Sequence, residues 1–155
     1  MTRITAVCLC VAIVVFTRVA SAETFTFTAH ADTTSAIAVP NSSGRPTTAV
    51  NQKGVIELIS GKGKKSGADI IVTTLVTNEA QLPGRGVFQA TERTGDSYGG
   101  SFACEYTDSA LTSGNCWGRF VGKTGSYKGR VGTASWHFTI KDTKDTTVGV
   151  GQWND

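Results

Sequence analysis

The sequence predicts an all-β fold, and three observations carry the prediction. Apolar residues recur at every second position in one segment after another. No segment repeats them at the helical period for three turns. Turn-forming residues punctuate the alternating runs: glycine, threonine and serine are abundant, with 18 glycines against 3 prolines.

The chain begins with a segment of another kind. Arg3 supplies a positive charge, Ile4 to Phe16 is an apolar run, and Ala20-Ser21-Ala22 has the small-x-small pattern of a signal-peptidase site. Residues 1–22 are therefore expected to be a cleaved secretory signal peptide, with residues 23–155 a single domain that is secreted or periplasmic. The apolar run is shorter than the roughly 20 residues a membrane span needs, so no membrane association is expected after cleavage. Removing 22 of 155 residues leaves 133, enough for one domain with a real core. It also removes Arg3 and Arg18, so the formal charge falls from +3 to +1. A nearly neutral domain lacks the electrostatic footprint of a nucleic-acid binder.

The strands follow in order. ETFTFTAHA puts Phe25, Phe27 and Ala29 on one face and threonines with His30 on the other. GVIELIS and ADIIVTTLVT are β-branched runs joined by GKGKKSG, which reads as a hairpin tip with solvated lysines. GVFQATER alternates next, followed by YGGSFACEYTD, NCWGRFVG and TASWHFTIKD, and VGVGQW is the last run. Loops are expected at Asn41–Thr48 and Asn78–Gly86. About eight strands with turn signals between them suit a sandwich or a small barrel.

Cys8 and Cys10 lie in the leader, which leaves Cys104 and Cys116. In an oxidising compartment a lone pair forms a disulfide, and only one connection exists. Closing a loop of this length stabilises by roughly 3 kcal/mol on the entropic view. His30 and His137 are far apart and share no ligand spacing, so no metal site is expected, and no motif calls for a cofactor.

Val121 to Ile140, VGKTGSYKGRVGTASWHFTI, is rich in glycine and then abruptly apolar. It lacks the G-K-[ST] ending and the following helix of a phosphate loop. Its glycines suit a sheet that turns sharply and bends. Gly122 to Thr133 resembles the G-x-T-G-[KR]-[YF]-x-G-x-x-G-T segment of the allene oxide cyclase barrel, a fold shared with plant dirigent proteins. The preceding GGSFACEYTDSALTSGNCWGRF is similar to that superfamily's two strands before the loop. The resemblance spans about Tyr98 to Ile140 and implies a closed eight-stranded antiparallel barrel, often a homo-oligomer, around an apolar cavity. It further implies a small hydrophobic or aromatic ligand and, in known relatives, cofactor-free isomerisation or cyclisation. No full set of the plant enzymes' catalytic side chains maps onto this chain.

Pairing Cys104 opposite Cys116 sorts the neighbouring residues. Phe102, Cys104 and Tyr106 then share a face with Cys116, Gly118 and Phe120, while Ala103, Glu105, Trp117 and Arg119 share the other. Trp136 and Phe138 alternate against His137. The aromatic face is the expected interior, so Phe88, Phe102, Phe120, Trp136 and Phe138 are candidate ligand-binding residues, and simple core packing is the alternative use for them. Tyr106 and Glu92 are the candidate catalytic residues. A buried phenol needs a partner for its hydroxyl, and Glu92, on the face of Phe88, would bring a carboxylate toward an apolar interior. A strand-end glutamate reaching water is the plainer reading of Glu92. No G-x-S-x-G elbow or α/β scaffold supports a serine–histidine–aspartate triad.

Overall fold

A computed structural model describes residues 22–40, 46–77 and 84–154. Nearly all of the expected leader, and the stretches 41–45 and 78–83 of the two expected loops, lie outside the described residues. Eight strands form one closed barrel: β1 (Glu23–Val39), β2 (Thr47–Ser60), β3 (Lys65–Thr77), β4 (Gly84–Glu92), β5 (Ser97–Tyr106), β6 (Ser113–Thr124), β7 (Val131–Lys141) and β8 (Lys144–Asn154). Each pairs antiparallel with the next, and β8 closes back on β1 from Glu23 opposite Trp153 to Asp32 opposite Lys144. Of the two architectures that alternation allows, the chain adopts the barrel.

The strands are longer than the alternating runs suggest. β1 continues through a register shift between Thr33 and Ser35. The extra residue flips the faces, so Ile37 and Val39 stand outward although they are apolar. Thr47 and Thr48 belong to β2, Lys65 to Gly67 belong to β3, and Gly84 to Gly86 belong to β4 rather than to loops.

For Gly86 the reason lies in how the interior is packed. Inward glycines stand opposite inward aromatic residues: Gly86 opposite Phe102, Phe120 opposite Gly100 and Gly132, Trp136 opposite Gly149. A Cβ added at Gly149 would come within 2.6 Å of both the Phe27 ring and Trp136. The missing side chains are the space into which the rings lie, so a glycine here is a strand residue and not a turn.

One barrel end is plugged. Trp153, only 3% exposed, contacts Phe120 with ring centroids 4.7 Å apart and stacks on Tyr127 at 5.0 Å. The Arg130 guanidinium lies 5.0 Å above the Trp153 ring and pairs with Glu23 at 2.8 Å. Tyr127 ends a single 3₁₀ turn (Gly125–Tyr127) that folds across this end. The turn enters through Gly125 and leaves through Gly129, with φ of 60° and 83°, where a side chain is strained. The Asp96 carboxylate also occupies the space a Cβ on Gly125 would need, and it accepts hydrogen bonds from the Ser126 amide at 3.1 Å and hydroxyl at 2.6 Å. The glycine-rich segment is thus a lid-forming turn built against the β4–β5 hairpin.

Candidate functional site

Behind the plug the lumen is not full. A cavity of about 170 Å³ runs from Tyr98, beside the plug, toward Val76, Leu111 and Ile140 near the opposite rim. Its wall includes Phe88, Phe102, Phe120, Trp136 and Phe138, together with Phe25, Phe27, Ile56, Leu58, Ile70 and Val72. Alternation explains why these residues meet. Each sits in the inward phase of its strand, and the barrel's closure brings all eight phases to one axis. Phe102 and Trp136 touch edge to face at 5.4 Å, an arrangement that fixes the wall's shape.

Cys104 and Cys116 pair directly across β5 and β6, are joined by a disulfide, and line the same cavity. Tyr106 is also on the wall, half-buried, its ring perpendicular to Phe138 at 5.9 Å. Burial pushes its hydroxyl above the usual tyrosine value. That phenol is held protonated, able to donate a hydrogen bond and poorly able to act as a base.

Glu92 stands elsewhere. It ends β4 beside the plug, is absent from the cavity wall, and accepts a hydrogen bond from the Tyr127 hydroxyl at 2.6 Å. Its carboxylate tethers the 3₁₀ turn to the barrel. Burial and that bond push the Tyr127 hydroxyl up to about 12. Tyr98, next to it, is 3% exposed, and its hydroxyl is the one buried side-chain polar atom without a hydrogen-bond partner among the described residues. Burial, then the Tyr127 and Glu92 groups, push its titration far upward.

Three further polar residues that face the cavity are ones the alternation of the sequence did not single out. Asp145, Thr147 and Gln52 line the cavity at the end away from the plug. Thr147 donates to Asp145 Oδ1 at 3.1 Å, and Gln52 donates to Oδ2 at 3.4 Å. Gln52 is 6% exposed and is one of two buried polar residues among those described. Asp145 pairs with Ala31 on β1, whose small side chain leaves room for the Gln52 amide to reach over from β2. Burial raises the Asp145 carboxyl above the usual value, partly opposed by the Thr147 and Gln52 hydrogen bonds and by His30. Asp145 has no salt-bridge partner among the described residues.

His137 faces outward on β7. Its Nδ1 lies 3.0 Å from Asn115 Oδ1 and its Nε2 lies 3.3 Å from the Ser113 hydroxyl, a side-chain ladder on the outer surface. Among the described residues no group of three histidine, cysteine, aspartate or glutamate side chains is arranged to hold a metal ion, and no helix is long and apolar enough to cross a membrane. No protein-family model and no curated protein matches the chain.

Proposed function

We propose that this protein is an exported binding barrel that takes a small, largely apolar or aromatic molecule into its lumen. The unfilled cavity carries the reading. A lumen packed solid would serve only as a scaffold, whereas an apolar void of about 150 Å³ is known to accept a molecule of benzene's size. The space of about 170 Å³ therefore suits a single ring with a short substituent, and a fused polycycle would require the wall to move. The aromatic wall supplies apolar contact and edge-to-face partners for such a ring. The plug of Trp153, Tyr127 and Phe120 leaves the opposite rim as the side from which a ligand enters. The disulfide and the leader-like first residues support an exported location.

A reaction within the lumen would rest on positioning more than on strong acid–base groups. The wall holds a reactive molecule in one shape and excludes water. Tyr106 is the group placed to donate a proton-sharing contact there, and Glu92 is committed to the Tyr127 tether.

Trp136 on the wall provides the readout. Titration with toluene and with naphthalene-sized compounds is expected to change tryptophan emission saturably for the one-ring probe. The variant Val50→Phe, at a partly exposed wall position, is expected to weaken that binding at least tenfold by filling the lumen. An unchanged affinity in Val50→Phe, in a protein with native circular dichroism, would place the binding outside the lumen. Native mass spectrometry of the exported chain reports retained ligand, leader cleavage and subunit count in one spectrum.

A further inference from the structure

From the Asp145 cluster we infer that the lumen's ligand is a cationic amine on a small apolar body, its ammonium seated against Asp145. This deepens the lumen-binding reading and rests on it. Most of the wall is hydrocarbon, so a carboxylate placed on it has to be explained by what it meets. Asp145 does not meet a cation of the described protein; its donors are the neutral Gln52 amide and Thr147 hydroxyl. An ionised carboxylate offers about four lone-pair sites, and these two bonds leave acceptor capacity facing the cavity. The one positive charge felt at Asp145 is that of His30, which lies on the outer face of β1, 3.4 Å from Thr146.

A neutral head group would leave that charge desolvated and uncompensated, which is costly in an apolar setting. An ammonium brings a full positive charge and three donors. The surroundings favour it further. Phe138 stands opposite Thr147 in the strand register, one inward position along β8 from Asp145, so an aromatic ring borders the place where the cation sits. The ligand class is therefore a primary amine carried on one aromatic or compact aliphatic group.

The test compares benzylamine with benzyl alcohol, which share ring and size but differ in charge, by isothermal titration of the mature disulfide-bonded protein. Benzylamine is expected to bind at least tenfold more tightly than the alcohol. In Asp145→Asn, and in Asp145→Ser made alongside it in case one fails to fold, the preference is expected to vanish while the alcohol binds as before. Equal affinities in the unaltered protein overturn the amine assignment and leave lumen binding standing. A preference that persists in both variants also overturns it, because the cation then sits elsewhere. No binding of either probe overturns the lumen-binding reading itself.

Discussion

Asp145 carries a cost to the fold, and the amine proposal gives that cost a use. Its carboxyl is raised by burial, so the native state keeps its proton to a higher pH than the unfolded chain does. The sign follows: stability is greatest below the ordinary carboxylate value of 3.8 and falls as pH rises through the raised one. Asp145→Asn should thus melt a few degrees higher than the parent at pH 7, with the advantage gone near pH 3.5, as read by thermal scans at both values. A gain that is the same at both pH values would mean that desolvation of the charge is not its source. Little of this could be read in advance, because KDTKDTT looks like a charged turn. Asp145 is partly buried only by closure of β8 on β1, and its partner Gln52 lies 93 residues away in the chain. Glu92 was legible as a carboxylate in phase with Phe88, yet phase does not say how far along the barrel axis a strand ends.

At the level of the strand, period two was enough to find all eight elements, while the β5–β6 register came from placing Cys104 opposite Cys116, where they do stand. The boundaries were not legible wherever glycine was involved. Gly84 and Gly86 look like loop residues next to Pro83, but they sit on β4 where the Tyr106 and Phe102 side chains need room. The same packing sets a test. Gly149→Ala should destabilise the barrel by about 1–3 kcal/mol through overpacking against Phe27 and Trp136, measured by denaturant unfolding. Restoring space with the double variant Gly149→Ala, Phe27→Leu should recover part of the loss. A neutral Gly149→Ala would mean that the rings yield freely and that the glycine is not there for space.

Across the whole molecule, the two ends of the barrel do different work. The plugged end concentrates ring stacking, the Glu23–Arg130 pair and the Glu92–Tyr127 bond, while the other end carries the lumen's polar cluster. The plug has its own pH limit. Tyr127 titrates near 12 in the fold against 10.0 unperturbed, so its contribution is complete below pH 10 and is lost as pH climbs toward 12. Tyr127→Phe should flatten the alkaline unfolding curve over that window, followed by circular dichroism; an unchanged curve would place the alkaline transition elsewhere, for example at Tyr98.

The pairing of Glu23 with Trp153 brings the first and last strands side by side at the plugged end. A partner domain or a surface tether joined directly ahead of Glu23 or directly after Asn154 therefore leaves from the sealed side of the barrel. Two such attachments would emerge next to each other, and neither would stand in front of the opposite rim. For a sensor or an immobilised capture protein built on this chain, anchoring and the proposed ligand entry are separated by the length of the barrel.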